Sequence, residues 1–238
     1  MPDPGFSPRI LILPVQYACD ARCVMCNIWE RHEKRHWEPN ELRRVLGNPR
    51  FAGVEVINVT GGELTLRPDL TDIIRAILDS LHGLRVASLQ TNAMNPERLT
   101  TRLPPVIDLF RERTEDGHPV HLDINISLDG AGEVHDRVRG VKGAFDAVLK
   151  SLGLIRGWLA QLSRSKVMFN CTVVRQNVAH LEAVQKCADE LGVEITYTIP
   201  QQTAVYLGNQ ATAWRFELDA GERDQLAAFL RGRLAVAT

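Results

Sequence analysis

Six short strand-like runs alternate with stretches of helical periodicity along the 238 residues of this chain, and that alternation constrains its fold more than any other feature. The runs are Ile10–Val15, Val54–Val59, Arg85–Thr91, His121–Leu128, Val167–Val174 and Glu194–Ile199. Between them the periodicity predicts helices over Glu41–Leu46, from Pro68 to about Leu81, and over Pro96–Arg113 with a break at Pro104-Pro105. A glycine-rich, charged loop over Asp129–Gly143 gives way to a helix reaching about Leu162, and Val178–Leu191 forms another that stops at Gly192. A closing helix over about 219–234 takes Asp219 as its N-cap. Strand and helix in strict turn argue for parallel βα units joined by right-handed crossovers. The expected fold is therefore α/β, a partial (βα)6 TIM-like barrel with parallel strands. No linker or repeat divides the chain, so residues 1–238 are read as one domain with a core over about 9–200.

Side chains alternate across a strand, and here the alternation separates polar from apolar. Over His121–Leu128 one face carries Leu122, Ile124, Ile126 and Leu128; the other carries Asp123, Asn125, Ser127 and, one step on, Asp129. Ser88, Gln90 and Asn92 share a parity, as do Asn58 and Thr60, Asn170 and Thr172, and Thr196 and Thr198. Helices cover the outside of a parallel sheet, so the apolar parity must meet them and the polar parity must look inward. A barrel that only packed against itself would fill its centre with branched aliphatic side chains. Polar groups buried there without partners would cost about 1–3 kcal/mol each. The polar parity therefore predicts a wet cavity that holds a ligand, and a register slip of one residue would reverse that reading on any strand.

The first strand runs straight into Tyr17–Trp29, where Cys19, Cys23 and Cys26 form a C-x3-C-x2-C array. Thiolate is the soft ligand that zinc, copper(I) and iron–sulfur clusters select. Structural zinc takes four protein ligands, commonly as two pairs, and no second C-x2-C pair follows. Three cysteines with His32 or His36 as a fourth ligand would make a zinc site. A [4Fe–4S] cluster held by three cysteines keeps one iron open to another ligand. A disulfide would strand the third thiol, and without an apolar N-terminal h-region the expected compartment is the reducing cytoplasm. Cys171 falls on an apolar strand parity and Cys187 on an apolar helix face, so both are read as core.

The array resembles the signature of the radical S-adenosylmethionine (radical SAM) enzymes. Thr60–Leu70, with Gly61-Gly62-Glu63, is similar to the family's GGE segment, and Ile126–Gly130 with Arg137 and Arg139 is similar to its ribose- and carboxylate-binding region. The resemblance runs in order over about residues 9–200, closest to the SPASM and molybdopterin-type branch. That branch's C-terminal cysteine-rich extension has no counterpart here, since no cysteine follows Cys187. It implies that Cys19, Cys23 and Cys26 hold a [4Fe–4S] cluster whose open iron chelates SAM. It implies SAM contacts from Met25 at the adenine, from Gly61 and Gly62 at the ammonium, and from Asn92, Ser127 and Asp129. Arg139, with Arg137 as competitor, pairs with the SAM carboxylate, a task that suits the arginine fork. Glu63 supplies negative charge or holds its loop; Met25 packs the loop if it does not reach adenine. Asn170 or Thr172 meets SAM or substrate, and no residue stands out as a catalytic base.

The chemistry so implied is a one-electron cleavage of SAM to a 5′-deoxyadenosyl radical, which abstracts hydrogen from substrate. An external flavodoxin- or ferredoxin-type donor supplies the electron. The substrate is a peptide or a small molecule, with a ribosomally made peptide preferred. A partner, leader peptide or second subunit would cover the open side of a six-unit barrel. A formal net charge of −1 gives no basic face for nucleic acid, and no apolar run nears the ~20 residues of a membrane span. A scaffold that binds iron–sulfur or zinc without turnover is the alternative.

Overall fold

The computed structural model describes residues 7–31, 36–204 and 207–236. Of the irregular lead-in expected over Met1–Pro8, only Ser7 and Pro8 fall within them, and much of the charged Glu30–Glu38 stretch, His32 included, lies outside the described residues. Six strands form one sheet: β1 (Ile10–Pro14), β2 (Val56–Thr60), β3 (Val86–Thr91), β4 (His121–Ser127), β5 (Ser165–Thr172) and β6 (Glu194–Thr198). Every pairing is parallel and the order is β1 to β6 in sequence. Each crossover thus steps one strand in the same direction. Among the described residues β1 pairs only with β2 and β6 only with β5, so the barrel stays open between them.

The helices are α1 (Pro39–Leu46), α2 (Leu70–Ser80), α3 (Pro96–Glu115), α4 (Glu133–Arg139), α5 (Ala144–Leu159), α6 (Leu181–Leu191) and α7 (Ala220–Val236). The core lies between them and the outward strand parity. On β4, Leu122, Ile124 and Ile126 are fully buried, as are Ile57 and Val59 on β2 and Phe169 and Cys171 on β5. They meet Leu42, Ile73, Ile77, Phe110, Val148 and Ile155 from the helices. Each large aliphatic or aromatic side chain removed from water contributes about 1.5–3 kcal/mol. Cys187 is half-buried against the same core. No helix among the described residues is long and apolar enough to cross a membrane.

Two expectations are corrected here. Pro104 and Pro105 do not break α3, which runs through them for 20 residues. The carbonyls that lose their partners belong to Thr100 and Thr101, two exposed residues beside water. Second, the loop expected over Asp129–Gly143 contains α4, which ends at Gly140 in the left-handed conformation (φ +66°). The closing helix keeps its expected cap, since Asp219 Oδ1 accepts from Glu222 N (2.9 Å) and Glu222 Oε2 accepts from Asp219 N (2.8 Å).

Candidate active site

The carboxyl ends of the strands open on a cavity of about 520 Å³. Its floor is the polar parity: Asn58 and Thr60, Gln90, Ser127, Asn170 and Thr172, and Thr198. Side chains of this parity also bond to one another across strands. Asn170 Nδ2 donates to Gln90 Oε1 (3.0 Å), Asn125 to Ser88, and Thr196 to Asn170. The flanks at the open edges are apolar. Ile12 on β1 and Ile199 just past β6 line the same cavity and are 66% and 68% exposed.

Cys19, Cys23 and Cys26 all line this cavity as free thiols. Their loop is held on three sides. Along one, the Gly61–Glu63 turn pairs with the approach to Cys19: Gly62 N donates to Gln16 O and Glu63 N to Ala18 O, both at 2.8 Å. A Cβ at Gly61 would collide with the Gln16 carbonyl and one at Gly62 with that of Ala18, so this contact requires glycine. Glu63 lies beneath the turn, nearly sealed from solvent and off the cavity wall. Its Oε1 accepts from Thr65 N (3.1 Å), Thr65 Oγ1 (2.7 Å) and Thr91 Oγ1 (2.8 Å), and its Oε2 from Asn92 N (2.7 Å). Burial pushes the Glu63 carboxyl up and these donors oppose that push. These bonds tie the turn to Thr65, to β3 and to Asn92.

On the second side, α4 docks its carboxyl end against the loop: Arg22 N donates to Arg139 O (2.9 Å) and Val24 N to Val138 O (3.0 Å). Arg139 is buried and lines the cavity, whereas Arg137 is exposed on the other face of the helix. Arg139 Nη1 donates to Cys23 Sγ (3.4 Å), and Arg139 Nε lies 2.7 Å from Asp129 Oδ2. Burial works against the guanidinium charge, but Asp129 and the Cys23 sulfur outweigh it and raise its pKa. The expectation for Asp129 itself is corrected. It is 0% exposed and off the cavity wall, with Oδ1 accepting from Thr172 N (2.7 Å) and Oδ2 facing Arg139, whose guanidinium lies between it and the cavity. β4 ends at Ser127, and the parity that placed Asp129 inward lapses there.

The third side is a segment that the sequence did not mark. Residues 200–204 and 207–217 cross back from β6 to the cysteine loop, with Asn209 fully buried at the junction. Asn209 Nδ2 donates to Met25 O (2.7 Å) and Gln201 O (2.9 Å), its Oδ1 accepts from Thr203 N (3.0 Å), and Asn27 N donates to Leu207 O (3.0 Å). Met25 lines the cavity while packing with Val138, Val174, Ala213 and Phe216. Asn92 also lines it, tethered through Nδ2 to Asp20 Oδ1 (2.7 Å), and Asp20 in turn pairs with Arg98. His135, in the glycine-rich, charged stretch, is buried: its Nδ1 accepts from Asp129 N (3.0 Å), and burial, with Arg139, lowers its pKa to about 3. The i, i+3, i+4 spacing of His135, Val138 and Arg139 was the signal for that face.

The spacing of the three thiols distinguishes a single metal ion from a cluster. Among the described residues no three His, Cys, Asp or Glu side chains gather closely enough for one metal ion. Zinc needs its sulfurs about 2.3 Å away on a single centre, whereas a [4Fe–4S] cube carries each cysteine on its own iron and spreads them around a larger body. His36 sits away from the cavity, bonded through Nε2 to Glu38 Oε1 (3.0 Å). Burial pushes Cys19 up to about 12 and Cys26 up to about 11, and it also raises Cys23, with Arg139 opposing. Iron would supply the positive charge that these thiolates lack. The donor set fits a cluster.

The sequence model of the Radical SAM superfamily matches residues 13–187. The chain belongs to the radical SAM superfamily. The family uses a [4Fe–4S] cluster and S-adenosylmethionine. Among its relatives, mycofactocin maturase MftC of Mycobacterium tuberculosis is 26% identical over 194 residues, 81% of this chain and 44% of its own length. An AdoMet-dependent heme synthase of Methanosarcina barkeri is 26% identical over 78% of this chain and 48% of its own length. Among solved structures, Streptococcus suis SuiB bound to its precursor peptide SuiA superimposes with a TM-score of 0.67 at 13% identity, covering 98% of this chain and 47% of SuiB. The protein anSMEcpe, bound to AdoMet and the Cp18Cys peptide, gives 0.64 at 18% identity, covering 94% of this chain and 59% of that one. This radical SAM chain spans about half the length of these relatives.

Proposed function

We propose that this chain binds a [4Fe–4S] cluster through Cys19, Cys23 and Cys26 and cleaves SAM reductively in the cavity beside it. The observation that carries this reading is the convergence of three separately spaced thiols and one buried, charged guanidinium on a single polar-floored cavity. When bound, the cluster and SAM supply a 5′-deoxyadenosyl radical that takes a hydrogen atom from substrate. The chain's residues hold and orient. Arg139, kept protonated by Asp129, offers charge to the SAM carboxylate. Gly61 and Gly62 give their backbone close access, and Asn92 and Ser127 offer hydrogen bonds to ribose and amino groups.

The proposed substrate is a peptide. The named peptides bound to SuiB and anSMEcpe favour it, and so does the wall of the cavity. A side chain held between Ile12 and Ile199 would bury apolar surface at the open edges while polar groups met the floor. The electron comes from a flavodoxin- or ferredoxin-type protein. Anaerobic reconstitution tests the reading, with the expectation of four irons per chain, absorbance near ~400 nm from thiolate-bound iron, and SAM-dependent 5′-deoxyadenosine. Cys23→Ala should lose all three. One zinc per chain with no 5′-deoxyadenosine would support the non-catalytic scaffold instead.

A further inference from the structure

Cys23 lies between two cavities. It lines the inner cavity, and on the other side of the same loop it lines a second groove of about 400 Å³. That outer groove is walled by Arg22 and Trp29 from the cysteine loop and by Trp214 and Arg215 from the returning segment. Trp214 is 68% exposed, unusual for so large an apolar side chain. Each arginine stacks on an aromatic neighbour, Arg22 at 5.8 Å from the Trp29 ring and Arg215 at 5.5 Å from Trp214. Neither has an ion pair among the described residues. Among the described residues the nearby acids do not line the groove: Asp20 pairs with Arg98, Glu222 with Arg175, and Glu30 lies off its wall.

We infer that this groove is the docking surface of an acidic one-electron carrier protein, through which the cluster proposed above is reduced. The inference rests on that reading of the three cysteines. Electron transfer weakens steeply with distance, and here one ligand side chain separates the outer surface from the inner site. The charge is complementary: two guanidiniums without an ion pair among the described residues, on a chain of net charge −1, form a local positive patch that steers an acidic partner. Tryptophan and arginine are the residues enriched at such contacts. The small patch suits a transient redox encounter better than a permanent complex. One electron passes from the carrier to the oxidised cluster and no bond is made or broken.

The test uses reconstituted protein and an acidic flavodoxin as the probe. Binding is read by calorimetry at low and high salt, and cluster reduction by the loss of visible absorbance. Arg215→Glu and Trp214→Ala are each expected to weaken binding about tenfold, ~1.4 kcal/mol, and to slow flavodoxin-driven reduction in proportion. Both should leave dithionite-driven reduction and 5′-deoxyadenosine formation at wild-type rates, because neither side chain lines the inner cavity. Binding unchanged in both variants, with the wild-type salt dependence, would overturn the inference. So would a dimer of this chain, abolished by Trp214→Ala, that excludes flavodoxin. Failure of dithionite to reduce wild-type protein would strike the cluster assignment instead, and the binding data stand apart from it.

Discussion

Arg139 and Asp129 form a buried ion pair, and its two halves respond differently to loss of the partner. Replacing Arg139 by Met leaves the Asp129 carboxylate fully enclosed with only Thr172 N for company. That should cost about 3–5 kcal/mol of unfolding free energy, measured by denaturant titration. Asp129→Asn should cost less, and the double variant Asp129→Asn/Arg139→Met should recover part of the loss, since no charge is then stranded. Gly62→Ala offers a second check. Its methyl would collide with the Ala18 carbonyl and displace the approach to Cys19, so iron incorporation should fall sharply. Gly157→Ala is the control: it lies exposed within α5 with nothing near its Cβ and should stabilise by about 1 kcal/mol. The sequence displayed most of these residues. The cysteine spacing and the paired glycines stood out as local motifs, whereas Arg139 came from the resemblance with Arg137 as its competitor, and the fold separates the two by turning Arg139 to the cavity and Arg137 to solvent. Asp129 could not be placed from the sequence, because a parity rule holds only while the strand lasts.

At the scale of elements, the cysteine loop is fixed by neighbours that come from far along the chain. The Gly61–Glu63 turn was visible as a motif, and α4 was partly hidden by glycines that read as loop. The return of residues 207–217 onto the loop was not legible at all, because its anchor is one asparagine among polar residues without periodicity. Asn209 nonetheless makes three hydrogen bonds from a fully buried site, one of them to the Met25 carbonyl next to Cys26. Asn209→Ala removes the donor and leaves the Met25 and Gln201 carbonyls without it, a penalty of about 1–3 kcal/mol. Reconstituted Asn209→Ala should therefore lose iron to a chelator several-fold faster than wild type. Asn48→Ala, which removes an exposed cap of a single turn (Arg50 N to Asn48 Oδ1, 3.0 Å), should leave that rate alone. Equal iron loss in both variants would argue that Asn209 stabilises the chain generally and has no particular hold on the loop.

For the molecule as a whole, the alternation of six strands and helices determined the open, sequentially ordered sheet, and the polar parity located its cavity. The sequence did not reveal that the polar lining stops at the edges. On β1 the inward parity is Ile10 and Ile12, both exposed, and Ile199 extends the apolar margin beyond β6. Edge strands normally carry charge or cover to discourage unwanted pairing, so an aliphatic margin facing a cavity calls for an occupant. If a peptide side chain is that occupant, Ile12→Glu should raise the peptide concentration needed for half-maximal 5′-deoxyadenosine formation by tenfold or more, the effect of burying a charge without a partner. SAM binding and any cleavage of SAM in the absence of peptide should persist, since the cysteines, Gly61, Gly62 and Arg139 are untouched. Ile12→Leu, which keeps the volume and the apolar surface, should behave as wild type. A variant that lost peptide-free cleavage as well would place Ile12 in the SAM site and remove the apolar margin from substrate recognition.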